Sequence, residues 1–577
     1  MPNEVPKDLR LPLVWLFGSM LLIWCVGMFG RGYWTPDEPR EADISWRMSW
    51  QTDKAVPLLA GAAFCEKPPL TYWLAALPVK LLGTSAWSAR LPNLLYALIS
   101  ALGVGLMAGR SAGRFAGFVA AAAISTFLLS YQVAIWLATD APLLASVAVA
   151  LLGAYIGLHA AARDERLRGY LLMHAALGLG FLCKSAVAWM VPAMAILTLC
   201  IWEKRWRELL RWELYIGLLI QAAIILSWVW FVYRGDDGPA HLKVFFWNNL
   251  VGRFAAIDAP AELQYAAAHR NFPGKYLLEL PMYVFPWTLL VIAAAARAWR
   301  QRRIAGRDLS TVRFALAASL PSLVILSVAA TARNVYFAPA LPGIALLVAW
   351  WAREILPGPD IWDVRALRAT AALLLVGAGV FIAALALISI DGWHSVDNHA
   401  AYIVISALGA AAAVWLAVRA WAAARDRAAH ALGALLLAYC ALLIGPASQV
   451  YRQVDRWQDL AKVGLAIKRD AFGRPLILLA PDETTRAIID MYARTSVGTV
   501  PGPIDAAAID RVRAQAAAAP NSLFLVLLPG GARSFDLRSG LGPPEAALPW
   551  MPAAGLTVAM SYSLPHGRRY ALLEIKP

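Results

Sequence analysis

The chain has 577 residues, 60% of them hydrophobic and only 15% charged, with 25 tryptophans. That composition excludes an ordinary water-soluble globule and implies a polytopic α-helical membrane protein. The formal net charge of +15 need not mark an anionic partner, because lysine and arginine also set membrane topology, and no nucleic-acid partner is expected.

The first apolar run, Leu11 to Gly30, carries no charge and is long enough to cross a bilayer as a helix. It is too long, and lacks the small-residue cleavage site, to be a removed signal peptide. A dense charge cluster follows in W-T-P-D-E-P-R-E-A-D-I-S, from Trp34 to Ser45. Asp37 and Glu38 come directly after Pro36, where a helix start favours carboxylates and helix capping alone accounts for their position. Capping does not account for the density: Asp37 and Glu41 share one helical face, and Arg40, Asp43 and Arg47 form a second charged row. An amphipathic helix on the outer membrane surface is the expected form, with Ile44, Trp46, Met48 and Trp50 as its apolar contacts.

Glu66-Lys67-Pro68-Pro69 comes next, and its double proline is expected to stop a helix and fix an extended turn. Lys67 is there either a solvated loop charge or a point cation for a phosphate. Asp140, in A-T-D-A-P, opens a span, as an N-cap or as a functional carboxylate. The five cysteines, Cys25, Cys65, Cys183, Cys200 and Cys440, are scattered without a C-x-x-C pair, so neither a disulfide framework nor a thiolate metal site follows.

Apolar windows at 11–30, 89–109, 115–132, 139–161, 170–184, 186–201, 213–232, 281–297, 314–331, 336–352, 369–390, 401–418 and 430–447 predict about thirteen crossings. Alternate connections are rich in arginine, among them those holding Arg163 to Arg168, Arg297 to Arg313 and Arg419 to Arg427, whereas 131–139 and 391–399 hold no lysine or arginine. By the positive-inside rule the N-terminus is cytoplasmic. The loops 31–88 and 233–280, Lys184, Arg333 and the tail then face the other side. Residues 1–450 are read as the membrane domain. Residues 451–577 are read as a soluble α/β domain, from the strand-length runs Leu476 to Ala480 and Leu523 to Leu528 and the helical stretch Ala506 to Ala519. A lid or structural support is its expected role.

D-E-P-R-E-A-D-I-S, E-K-P-P-L-T-Y-W, Asp140, the Lys184-Ser185 pair, F-F-W-N-N-L-V-G-R-F-A and R-N-V-Y-F-A-P-A-L-P together resemble the polytopic glycosyltransferases of the GT-C superfamily. More narrowly they are similar to the bacterial aminoarabinose transferases that modify lipid A and to their protein O-mannosyltransferase relatives. Ser185 departs from the family, which usually has glycine there. The resemblance implies transfer of aminoarabinose from undecaprenyl phosphate to lipid A phosphates, on the periplasmic face of the inner membrane, giving resistance to polymyxin and other cationic peptides. It implies Asp37, Asp140 and Glu38 as catalytic carboxylates. Lys67, Arg253, Lys184 and Arg333 would bind the donor phosphate, with Arg40, Glu41, Glu66, His269 and Tyr336 in support. No cofactor is required, because lysine and arginine can hold a single phosphate. A divalent cation on Glu66 and His269 is the alternative. The remaining readings are a related polyprenyl-phosphate-sugar transferase with another sugar or a protein or glycan acceptor, and, from another class, a lipid transporter. Against the transporter stand the lack of a clear inverted repeat and of mid-span charge.

Overall fold

The uncharged first run folds as α1 (Arg10–Met28). In the computed structural model, residues 10–251, 271–329, 333–392, 399–455, 458–528, 541–542, 548–564 and 568–575 are described. After α1 the chain makes a compact insertion before the next long helix: α2 (Asp37–Trp50), the hairpin β1 (Leu58–Leu59) and β2 (Ala62–Ala63), α3 (Leu70–Leu82) and α4 (Ala86–Arg90). The double proline opens α3 rather than only ending a helix, with Pro69 at its N-cap; the fixed φ of proline suits the first turn, where N–H groups lack partners anyway. There follow α5 (Pro92–Ala112), α6 (Arg114–Thr126), α7 (Leu128–Ile135), α8 (Asp140–His159), α9 (Arg163–Lys184) and α10 (Val187–Trp202).

Among the described residues, the helices long and apolar enough to cross a membrane number 8, or up to 10 if each of two bent pairs counts as one span. By this measure thirteen crossings are not confirmed. Two of the thirteen windows fall on the bent pairs: α6 with α7, broken by 64°, and Lys275–Tyr283 with Thr288–Gln301, broken by 110° at a segment containing Pro286. The windows at 11–30, 170–184 and 186–201 fall on α1, α9 and α10. The described part of α1 and the whole of α10 are short apolar helices, and α9 begins with the charged R-D-E-R-L-R.

Helix packing follows membrane rules. In the span Asn334–Glu354, 89% of the apolar stretch is buried, whereas in Trp212–Arg234 only 22% is, and the latter turns Leu219, Trp230 and Phe231 outward. Small residues let backbones approach closely: a Cβ added at Gly153 of α8 would lie 2.6 Å from the carbonyl oxygen of Gly169 in α9.

Beyond the last span, β3 (Leu476–Leu479), β4 (Ser496–Val500), β5 (Leu523–Leu528), β6 (Leu541–Gly542), β7 (Leu556–Ser563) and β8 (Arg569–Ile575) form one sheet in the order β4-β3-β5-β8-β7-β6. The first three strands run parallel and the rest antiparallel. Apolar clusters cover both faces, one containing Leu478 and Leu525 and the other Leu479 and Val526.

This sheet unit bears directly on α2, which is not a surface-lying amphipathic helix. Ile44 and Met48 pack among Tyr33, Leu59, Phe64 and Tyr72 and against Ala487 and Met491 of the tail. Glu38, Arg40, Glu41 and Asp43 are buried as well. Of the four expected membrane contacts, only Trp50 is exposed. The charges on α2 therefore meet protein partners, as buried charges must to offset desolvation.

Candidate active site

Pro36 starts α2, and its first two helical residues, Asp37 and Glu38, point to different surroundings. The Glu38 carboxylate is fully buried between Arg31, at 2.6 Å, and Arg90, at 2.8 Å. It also accepts from the backbone N–H groups of Trp34 at 2.8 Å and Leu137 at 2.9 Å. Burial works to raise its pKa, but the charges and hydrogen bonds of Arg31 and Arg90 bring it down to about 2. Glu38 thereby ties together the end of α1, the short helix α4 and the segment after α7. It was expected to be catalytic; its carboxylate is instead enclosed and fully partnered.

Asp37 is held quite differently. Both its oxygens accept from Arg333, at 3.0 Å and 2.5 Å, in the forked geometry that suits arginine and carboxylate; the Arg333 side chain remains 43% exposed. Arg40 lies 3.2 Å from Asp37 and 2.8 Å from Glu41. Glu41 in turn accepts from Lys67 at 2.6 Å. Burial opposes ionisation of Asp37, but the Arg333 hydrogen bond and the charges of Arg40 and Lys67 outweigh it and hold the carboxyl well below the usual range. The same balance, with Lys67 and Arg40 as the cations, lowers Glu41.

A second arm continues from Arg333. Tyr336 lies in the turn that begins there, and its ring lies 4.7 Å from the Lys184 ammonium. Lys184 donates to Asp140 at 2.5 Å. Asp140 is the first residue of α8 rather than its cap, which is Thr139, so its N-cap reading falls away. Lys184 is presented by a sharp break between α9 and α10, where Ser185 adopts φ +62° and ψ −158°. Glycine enters that region of backbone space freely and serine does not. Lys67, Glu41, Arg40, Asp37, Arg333, Tyr336, Lys184 and Asp140 thus form one continuous chain of charge and contact, although they come from α2, the α3 approach, α8, α9 and the segment before Leu341.

A family model described as dolichyl-phosphate-mannose-protein mannosyltransferase matches residues 66–231. Over 409 residues the chain is 30% identical to the undecaprenyl phosphate-alpha-4-amino-4-deoxy-L-arabinose arabinosyl transferase of Pseudomonas aeruginosa, a match spanning 70% of this chain and 71% of that one. The chain belongs to this family of arabinosyl transferases. The Yersinia enterocolitica transferase of the same description is 29% identical over 374 residues, 64% of each chain. The fold is that of ArnT from Cupriavidus metallidurans, whose crystal structure bound to undecaprenyl phosphate superposes with a TM-score of 0.70 over 97% of each chain at 18% identity. The molecule is therefore a multi-pass membrane glycosyltransferase, and the transporter reading is set aside.

In this transferase Glu66 is anchored through its backbone carbonyl, which accepts from the Asn249 side chain. Asn249 belongs to the F-F-W-N-N stretch that carried part of the resemblance. Arg253 and His269 lie outside the described residues, and with His269 the expected metal pair. Among the described residues no group of three or more histidine, cysteine, aspartate or glutamate side chains is gathered as a metal site.

Sequence reasoning missed the clamp from the tail. Glu483 bonds Arg40 at 2.6 Å and Asp490 bonds the Arg47 Nε at 2.6 Å. Asp455 accepts from the Gly32 backbone and the Trp34 indole, at 2.8 Å and 2.7 Å. Burial, then the hydrogen bond and charge of Asp490, push the Asp43 carboxyl well above its ordinary range. Arg31 and Arg90 were also missed. The signal for Arg90 was its presence inside an apolar window, where a charge requires a buried partner.

Proposed function

We propose that this enzyme transfers 4-amino-4-deoxy-L-arabinose from undecaprenyl phosphate to a phosphate of lipid A, with the Asp37–Arg333 rim as the reacting site. The observation that carries the proposal is the convergence of Lys67, Lys184 and Arg333 around Asp37 and Asp140, next to a family identity based on the same donor. A phosphate oxygen of the acceptor attacks the anomeric carbon of the sugar. The bond from that carbon to the carrier phosphate breaks, and its electron pair leaves on undecaprenyl phosphate.

Negative charge grows on the departing phosphate and positive character on the sugar ring, so cations aimed at the phosphate stabilise the transition state most. Lys67 and Lys184 each keep N–H donors beyond the one given to Glu41 or Asp140, and Arg333 is half open to solvent. Asp37, held ionised, is a weak base, and an ionised phosphate acceptor needs none. Its charge acts instead on the cationic sugar and on the alignment of the acceptor. Arg40 and Glu41 position Asp37 and Lys67. Asp140 opens α8 and Lys184 ends α9, at the opposite ends of these helices from the arginine-rich connection 163–168, which supports a periplasmic reaction face and a cytoplasmic N-terminus in the inner membrane.

The test is to express the chain in a strain lacking its own aminoarabinose transferase and to measure lipid A mass and polymyxin survival. An aminoarabinose-sized mass increase with restored survival is expected. Unmodified lipid A, with the protein present in the membrane, would overturn the acceptor and sugar assignment.

A further inference from the structure

At the far end of the bundle from Asp37, a cavity of about 470 Å³ opens between α1, α6 and the helices Ala400–Ala423 and Ala428–Arg452. That size is within the range that holds small ligands, roughly 300–1,000 Å³. Its wall is apolar, built from residues such as Phe115, Leu436 and Leu437, and Arg419 and Arg427 stand at its arginine-rich end. Phe118 and Trp415 line it while remaining about half exposed, at 46% and 58%, so the cavity opens sideways, toward lipid. Gly433 also lines it, and a Cβ there would meet no atom within 4 Å.

Among the described residues the charge at this opening meets no carboxylate. Some arginines on this face are neutralised by carboxylates: Arg166 by Glu213, Arg313 by Glu203 and Arg300 by Asp360. Among the described residues, Arg419 and Arg427 have no carboxylate partner; Arg419 lies over the Trp415 ring at 5.0 Å. Unpaired cations at the membrane surface above an apolar lateral groove match one ligand chemistry, a phosphate headgroup carrying acyl chains. Basic pockets between membrane helices on the cytoplasmic side bind anionic lipids by the same logic.

We propose that this groove binds an anionic glycerophospholipid of the leaflet on the arginine-rich side, the phosphate on Arg419 and Arg427 and an acyl chain along the Phe115 and Leu436 wall. The site is separate from the donor site and does not depend on the identity of sugar or acceptor. The purified full chain, in detergent with added phosphatidylglycerol or phosphatidylethanolamine, is examined by native mass spectrometry. Wild type is expected to retain phosphatidylglycerol in preference to phosphatidylethanolamine, and glycerol 3-phosphate, lacking acyl chains, should not displace it. Two surface cations at about 1 kcal/mol each correspond to roughly 30-fold weaker retention in the Arg419→Ala/Arg427→Ala variant. Gly433→Leu fills the groove with a better helix former and should lose the lipid while melting no lower than wild type. Equal retention of the two phospholipids, unchanged retention in folded Gly433→Leu, or a polyprenyl phosphate as the retained species would each overturn the proposal.

Discussion

Glu38 and Asp37 differ by one position in the chain, yet one carboxylate is sealed between two buried arginines while the other faces an arginine that is half in solvent. Both are held ionised against the cost of burial, so the state of charge does not separate the two. What separates them is saturation and access. Glu38 spends its lone pairs on Arg31, Arg90 and two backbone N–H groups. Asp37 spends its own on Arg40 and on the exposed Arg333, and the latter is a partner that an incoming phosphate can claim.

Substituting each carboxylate by its amide should break this pair of roles in opposite ways. Asp37→Asn is expected to lower transfer by about 10²- to 10³-fold, the loss of one electrostatic contact to the transition state, measured with purified protein and donor lipid, while its thermal midpoint stays near that of wild type. Glu38→Gln should act on stability first. It leaves Arg31 and Arg90 buried without their anion, which costs about 3–5 kcal/mol, seen as a large drop in the melting midpoint and in membrane yield.

A pH series sharpens the same contrast. The folded-state pKa of Glu38, about 2, is below the ordinary glutamate value of about 4.3. Its stabilisation is thus complete above that ordinary value and is lost as the pH falls toward about 2. Wild type should lose melting temperature on acidification more steeply than Glu38→Gln, and parallel curves would remove Glu38 as the source. The smallest effect is expected at Ser185, whose backbone, at φ +62°, costs a non-glycine residue about 1–3 kcal/mol. Ser185→Gly should raise the melting midpoint slightly and leave transfer intact, because Lys184 keeps its bond to Asp140.

Much of this architecture was legible in the sequence. Uninterrupted apolar runs mark most long helices, the short runs after residue 470 mark strands, and W-T-P-D-E-P-R with E-K-P-P points to the rim. The internal shape of the spans was not legible, because hydropathy windows cannot register a 64° or 110° bend or the 16-residue length of α10. Nor was the division between Asp37 and Glu38, since Glu38 takes its identity from Arg90, 52 residues away. The expected surface helix failed for a related reason: polar and apolar faces on α2 look the same whether they meet a membrane surface or, as here, Glu483, Asp490 and Met491 of the tail.

The most direct test of the rim as a donor-phosphate site is the affinity of purified protein for undecaprenyl phosphate, wild type against Lys67→Ala. The Lys67 ammonium bonds Glu41 at 2.6 Å and still has donors for a phosphate, so loss of that charge-assisted contact, worth about 1.5–3 kcal/mol, should weaken binding roughly 10- to 100-fold in protein that remains folded on Arg40 as the other partner of Glu41. Equal affinity in a folded Lys67→Ala protein would contradict the account.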